Sequence, residues 1–181
     1  MSNTLPGNYT ISLLDEESAK RNADEIAKLA DSIPLVTYST VDVLASNQGG
    51  RRFIDKWLFS HWIKHNDTPV GMIIGYYRKA DGGPNYPSDS VYISELAIAK
   101  THQQRGLAKA LITTFLVNAR KHQRIRSLKG QLRFTVQTNS AVWNQHVQKL
   151  YESFGFQKRR IKKYDNRTDW IMEASDDQLI I

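Results

Sequence analysis

The stretch Tyr92–Ala119 reads YISELAIAKTHQQRGLAKALITTFLVNA, and two different periods meet inside it. Tyr92–Ala99, rich in Ile, Leu and Ala behind an aromatic lead-in, predicts a strand, and Lys100–Arg105 is a polar turn. From Gly106 the pattern becomes helical: Ala108, Leu111, Ile112, Phe115 and Ala119 recur at the spacing of one buried face. A helix opening on Gly106, with Lys109 in its first turn, points unpaired backbone N–H groups and a positive dipole end at the loop before it. Such an end suits a phosphate. An ordinary strand-to-helix connection has the same outline and stands beside the anion-site reading at this point.

Outward from that unit the chain keeps alternating between the two periods. On the N-terminal side, Tyr9–Leu13 alternates as a short strand, and Asp15, Glu16 and Glu17 suit a helix start. Ala19, Ala23, Ile26, Ala27 and Ala30 follow at helical spacing, closed by Pro34, so one first helix is expected. Residues 37–57 are mixed, with Gly49 and Gly50 breaking the run and Phe53 and Trp57 four apart; one or two short helices are expected there. Trp62 and Ile63 lead through the turn Asn66–Pro69 to Val70–Tyr77, an antiparallel hairpin. His61 and His65 share a strand face and lack a carboxylate motif such as H-E-x-x-H, so no metal site is expected. Asp81–Asp89 is a loop by composition, read as a plain connector or a flap.

On the C-terminal side, Leu132–Val136 predicts a strand and Ala141–Phe154 a helix carrying Val147, Leu150, Tyr151 and Phe154 on one face. Gly155 ends it as a C′ residue. Phe156–Tyr164, a turn at Asp165–Asn166, and Asp169–Met172 complete a hairpin. Trp143 and Trp170 are read as packing residues.

Composition narrows the classes. The chain has 181 residues, 40% of them hydrophobic and 24% charged, which fits one globular domain over 1–181. No apolar run approaches the roughly 18 residues of a membrane span, and MSNTLPGNYT lacks the regions of a signal peptide, so a cytoplasmic protein without membrane attachment is expected. With no cysteine there is no thiolate metal site and no acyl-cysteine intermediate. The formal charge of +7 gathers between Arg120 and Arg133 and in Lys158–Lys163, KRRIKK. Such runs suit a solvated face, a polyanionic cofactor or nucleic-acid phosphates, and charge does not separate the three. Neither a G-x-x-x-x-G-K-[S/T] loop nor a G-x-G-x-x-G after a strand occurs, so nucleoside triphosphate and dinucleotide readings fall.

Two segments carry a family resemblance. Gln103-Gln104-Arg105-Gly106-Leu107-Ala108 resembles the Q/R-x-x-G-x-G/A signature of the GNAT superfamily, the acyl-CoA-dependent N-acetyltransferases, with Ala at the last position. Asn144 to Phe156 is similar to that family's second signature, N-x6-Y-E-x-x-G-F, spacing included. The resemblance is strongest from Tyr92 to Phe156. It implies an α/β fold of the α+β kind: a mixed, mostly antiparallel central sheet flanked by helices, splayed at a cofactor-binding gap. The cofactor-binding core would span about 91–156 and the C-terminal hairpin about 156–174.

The same resemblance implies acetyl-CoA as cosubstrate and no metal. The pantetheine arm would pair with main-chain groups of Leu96 and Ile98, and the pyrophosphate would take N–H groups from Gln103, Gln104, Arg105, Gly106, Leu107, Ala108 and Lys109. Asn144 would bond the pantetheine or position its helix. The activity implied is direct acetyl transfer to a primary amine, whose acceptor, a small molecule or a peptide, the sequence leaves unidentified. An alkyl amine is almost wholly protonated at neutral pH, roughly one part in two thousand being nucleophilic, so its proton must be taken. Glu95 is the candidate base, with a substrate anchor and a structural carboxylate as its other readings. Tyr151 matches the family's acid for the leaving thiolate, and the Ile98 N–H is the available oxyanion donor. A non-catalytic acyl-CoA-binding domain and a basic nucleic-acid-binding domain remain the other function classes, the second disfavoured, and a homodimer is left open.

Overall fold

The computed structural model describes residues 7–33, 39–48, 51–122, 125 and 132–181. Pro34, Gly49, Gly50 and much of the basic run, including Arg124, Arg126 and Lys129, lie outside the described residues. Among the described residues nine strands run in chain order: β1 Tyr9–Leu13, β2 Asn47–Gln48, β3 Arg51–Arg52, β4 His61–His65, β5 Thr68–Arg78, β6 Ser90–Ile98, β7 Arg133–Asn139, β8 Gln157–Lys163 and β9 Thr168–Ser175. Among the described residues the α-helices with described bounds are α1 Glu16–Arg21, α2 Ala23–Ala30, α3 Thr40–Leu44, α4 Lys56–Phe59, α5 Leu107–Lys121 and α6 Gln145–Glu152. Seven strands form one sheet in the order β1-β4-β5-β6-β7-β9-β8, while β2 and β3 pair separately. Every pairing is antiparallel except β6 with β7. No helix among the described residues is long and apolar enough to cross a membrane.

The expected first helix is two. Asp15 caps α1, its carboxylate accepting from the Ser18 N–H at 2.7 Å. At Asn22, however, the side chain donates to the Ser18 carbonyl at 2.8 Å and the backbone leaves helical angles, at φ −119° and ψ 31°. A side-chain bond of this kind competes with the helical ladder, and the helix restarts at Ala23. In residues 37–57 both short helices form, and the β2–β3 ladder between them was not anticipated.

Two packed layers hold the sheet. On one face α2 presents Ile26, Leu29 and Ala30 to Trp62, Met72, Ile74 and Ala97. On the other, Leu111, Ile112 and Phe115 of α5 pack against Ile63, Ile73, Ile93 and Phe134. Gly75 permits this approach, since a Cβ there would stand 2.5 Å from the Phe115 ring. The β4–β5 turn uses Asn66 and Asp67, both at positive φ, as a tight hairpin requires.

Two irregularities shape the middle of the sheet. The parallel β6–β7 ladder covers only Val91–Ile93 against Phe134–Val136, and the strands then part, leaving Ser94–Ile98 open on that edge. A bulge also interrupts β5–β6, where Ile74 pairs with Glu95 but Gly75 with Ile93. Ile93 and Leu96 consequently both face α5, and Glu95 joins Tyr92 and Ala97 on the α2 side.

Candidate active site

The opening between β6 and β7 forms a cleft of about 700 Å³. Strand β6 lends Tyr92, Ser94, Glu95 and Leu96 to its wall, α6 lends Tyr151, and Asn144 stands just before α6. Ile93 would share the face of Glu95 and Ala97 in a regular strand, yet the bulge puts Ile93 on the other face and turns the carboxylate to the cleft. The Ser94 hydroxyl donates to Glu95 Oε1 at 2.5 Å. Tyr151 is 2% exposed, with its ring edge-on to Phe156 at 5.5 Å. Burial, then the Glu95 charge, push its phenol well above the ordinary tyrosine value. Tyr92 is raised in the same way, by burial first and then by Tyr86, Tyr76 and Glu95. Glu95 therefore exerts its charge on two phenols, one buried, Tyr151, and one half-buried, Tyr92.

The main chain of β6 also faces the opening. The Ala99 N–H donates to the Val70 carbonyl at 2.8 Å, so alternation along the strand turns the N–H and C=O of Leu96 and Ile98 to the parted edge. The Ile98 carbonyl already accepts from Gln103 Nε2 at 3.0 Å. This bond draws the Gln103–Gly106 loop back over the end of the strand.

That loop turns sharply into α5. Gln104 and Gly106 take positive φ, 60° and 77°, and an added Cβ at Gly106 would meet nothing within 4 Å. The first helical bond runs from the Ala110 N–H to the Gly106 carbonyl at 3.0 Å. The N–H groups of Leu107, Ala108 and Lys109 precede it and have no partner within the helix. The Gln103 N–H, by contrast, is engaged with the Lys100 carbonyl. Arg105 turns its guanidinium away, to the Tyr9 hydroxyl and the Thr101 carbonyl, both at 3.3 Å. Backbone, not side-chain charge, is what the loop offers an anion.

Asn144 sits in a 3-10 turn, Val142–Asn144, that replaces the first turn of the expected helix. Its Nδ2 donates to the Asn139 carbonyl at 2.9 Å, and Gln148 Nε2 donates to the same oxygen at 2.8 Å. Both side chains tie α6 to the end of β7, which fixes Tyr151 across the opening from Glu95. Trp170 packs partly buried against the core, whereas Trp143 is 47% exposed, so its reading as a packing residue does not hold.

Other cleft residues escaped the sequence reading. Phe53 stacks on Tyr76 at 4.5 Å, Tyr76 on Tyr92 at 5.3 Å, and Tyr86 meets Tyr92 edge-on at 6.0 Å. The Arg78 guanidinium lies 3.2 Å from the Tyr86 ring centre and pairs with Asp81 at 3.1 Å. Asp89 accepts from the Tyr77 hydroxyl and the Ala80 N–H, and Arg160 Nε donates to the Asn85 carbonyl. These bonds pin the 81–89 loop as a connector. Lys56 enters from α4, and a lone lysine before Trp57 gave no sequence signal. Among the described residues, no group of three or more His, Asp or Glu is placed to hold a metal ion.

A sheet parted beside a helix N-terminus, with this loop on the end of β6, agrees with what comparison finds. The profile of the Acetyltransferase (GNAT) domain matches residues 58–158. The chain belongs to the GNAT acetyltransferase family. It is an acetyl-CoA-dependent acyltransferase, and acetyl-CoA is its cosubstrate. No curated protein matches the sequence. Among solved structures, Arabidopsis thaliana Naa50, in complex with the bisubstrate analogue CoA-Ac-MVNAL, is 17% identical with TM-score 0.64, over 93% of this chain and 99% of that one. The ribosomal-protein-S18-alanine N-acetyltransferase of Escherichia coli is 16% identical with TM-score 0.63, over 93% and 97%. Arabidopsis thaliana NAA60 in complex with acetyl-CoA is 15% identical with TM-score 0.63, over 92% and 98%. At these identities the likeness is one of fold.

Proposed function

We propose that this GNAT enzyme moves the acetyl group of acetyl-CoA directly to a primary amine, with Glu95 as base and Tyr151 as acid. The observation that carries the reading is the cleft itself: the sheet parts at Ile93, and beyond that point Glu95 and Tyr151 line the opening together. The pantetheine arm takes the place of the missing β7 ladder and bonds the main chain of Leu96 and Ile98. The pyrophosphate lies on the N–H groups of Leu107, Ala108 and Lys109, within the loop from Gln103. Asn144 holds α6 to β7 and reaches the arm only by way of that position.

The acceptor arrives as an ammonium, and Glu95 takes one proton. The freed nitrogen lone pair attacks the thioester carbonyl, forming the N–C bond and a tetrahedral oxyanion that the Ile98 N–H stabilises. Collapse breaks the C–S bond, and the Tyr151 hydroxyl protonates the leaving thiolate. The second nitrogen proton reloads Tyr151, so one proton leaves through Glu95 for each amide formed.

The acceptor is an amine of a peptide or a small molecule. Naa50, solved in complex with the bisubstrate analogue CoA-Ac-MVNAL, and the S18-alanine enzyme, named for a ribosomal protein, support testing free peptide N-termini first. Thiol release from acetyl-CoA is measured against peptides with free N-termini, lysine-containing peptides with blocked N-termini, polyamines and amino sugars. With no cysteine in the chain, the thiol reagent has no protein background. Release that depends on one amine class identifies the acceptor; acetyl-CoA binding without release to any class favours a non-catalytic acyl-CoA-binding domain.

A further inference from the structure

Lys56, Arg78, Lys162 and Arg167 bring positive charge to the cleft, and Asp42, Glu95 and Asp169 bring negative charge. Most of these groups are engaged within the fold. The Lys56 ammonium donates to the Ala45 carbonyl at 3.0 Å, Arg78 pairs with Asp81 at 3.1 Å, and Arg167 pairs with Asp169 at 3.4 Å. Asp42 accepts from the Ser39 N–H at 2.9 Å, and Glu95 from the Ser94 hydroxyl at 2.5 Å. Lys162 is the exception. On β8 it stands in register with Asp169 of β9, an arrangement in which opposite charges ordinarily attract. Asp169, however, is 4% exposed and its oxygens are taken: Gln137 Nε2 donates to it at 2.6 Å and Asn139 Nδ2 at 3.4 Å, beside the Arg167 guanidinium.

Among the described residues, which include every Asp and Glu of the chain, Lys162 forms no ion pair. Its contact is with Tyr164, whose ring centre lies 5.0 Å from the ammonium. An aromatic ring attracts a cation but leaves its charge uncancelled. Other members of the same basic run differ, since Lys158 pairs with Glu152, Arg160 pairs with Glu173, and Lys163 is exposed. Lys162 instead is partly buried in the cleft wall, where the attraction for an anion exceeds that at a bare surface. Gln137 joins this wall to the one that carries Glu95: it accepts from the Tyr86 hydroxyl at 2.9 Å and donates to the Tyr164 hydroxyl at 2.7 Å, and Tyr86 meets Tyr92 of β6 edge-on. An acceptor with its nitrogen at Glu95 and Tyr151 thus shares the cleft with one unmatched ammonium. We propose that the amine acceptor is itself anionic, carrying a carboxylate or phosphate that Lys162 holds at the β8–β9 end of the cleft. Lys162 is then the residue that selects the acceptor by charge. This rests on the reading of the cleft as the site of acetyl transfer.

The test compares thiol release from acetyl-CoA within matched pairs of amines. Peptides with a free N-terminus and a nearby glutamate or phosphoserine are set against the same peptides with glutamine or serine, and β-alanine against its amide. In the wild-type protein the anionic member of a pair should show kcat/KM about fivefold or more above its neutral twin, mainly through KM. That advantage should shrink as salt rises from about 0.02 M to about 0.5 M. Lys162→Met should abolish it, and Lys162→Glu should reverse it. A melting rise with acetyl-CoA shows that each variant is folded, and Lys162→Gln serves in place of a methionine variant that is not. The pair that shows the advantage tells a carboxylate from a phosphate. Equal kcat/KM within every pair, or an advantage that survives Lys162→Met, overturns the proposal and leaves acetyl transfer standing. Release to no amine of the set overturns the transfer reading and this one with it.

Discussion

A phenol as buried as that of Tyr151, beside the Glu95 carboxylate, holds its proton beyond the pH at which an ordinary tyrosine loses it. In the acid role proposed for it, this keeps the donor loaded at every working pH. Tyr151→Phe removes the donor and keeps the ring. We expect kcat to fall about 100-fold, the range of general-acid contributions, while acetyl-CoA affinity read by melting stays at the wild-type level. The same variant has a stability signature. A folded-state value raised above the unfolded one stabilises below about pH 10, and that contribution is lost as pH rises further, because the unfolded chain ionises first. Tyr151→Phe should flatten this alkaline fall. Unchanged turnover, with the alkaline curve flattened, would leave Tyr151 as a core residue only.

At the scale of elements, the turn out of α6 is set by Gly155. Its φ of 89° lies in the left-handed region, and a Cβ there would stand 2.1 Å from the Gln178 carbonyl oxygen. The segment after β9 folds back at this point, the Ile180 N–H donating to the Phe154 carbonyl and Arg120 of α5 pairing with Asp176. Gly155→Ala should cost about 2 kcal/mol, hence roughly 4–8 °C of melting temperature, by pushing that segment off. An unchanged melt would mean the segment yields freely. Gly106 differs, since its added Cβ meets only open space, which the proposed site gives to the pyrophosphate. Gly106→Val should weaken acetyl-CoA binding at least tenfold, measured by calorimetry, through backbone strain and a blocked approach. Normal affinity would put the pyrophosphate elsewhere.

These elements also mark what the sequence could disclose. Strand β6, its loop and α5 were legible because a period of two gives way to 3.6 across a glycine, and α6 because an apolar face ends at Gly155. Tyr151, Glu95 and Asn144 lie on those elements, so their neighbourhood was readable too. The break at Asn22 depends on one side-chain bond that periodicity does not encode. The bulge beside Ser94 depends on how β5 and β6 meet, and it alone decides which way Glu95 points. Lys56, Arg78 and Tyr86 reach the cleft from segments far apart in the chain, and only the folded sheet brings them together.

For the molecule as a whole, charge and cleft lead to different ligands, and one melt separates them. Of the basic residues gathered late in the chain, Arg120 pairs with Asp176, Arg133 and Arg160 with Glu173, and Lys158 with Glu152. Those cations are partly neutralised within the fold and make a poor track for nucleic-acid phosphates. In the proposed site acetyl-CoA instead offers two halves: phosphates for the first turn of α5, and an amide-bearing arm for the open edge of β6. At about a hundred times its dissociation constant it should add roughly 2.7 kcal/mol, a rise of about 5–10 °C for a chain of this length. ATP and NAD present phosphates but no arm for the opened edge, so at equal concentration each should raise the melt by much less. If ATP matched acetyl-CoA, the phosphates alone would carry binding and the parted strands would have no part in it. If acetyl-CoA alone raises the melt, the gap beyond Ile93 and Val136 is the feature that selects the cosubstrate.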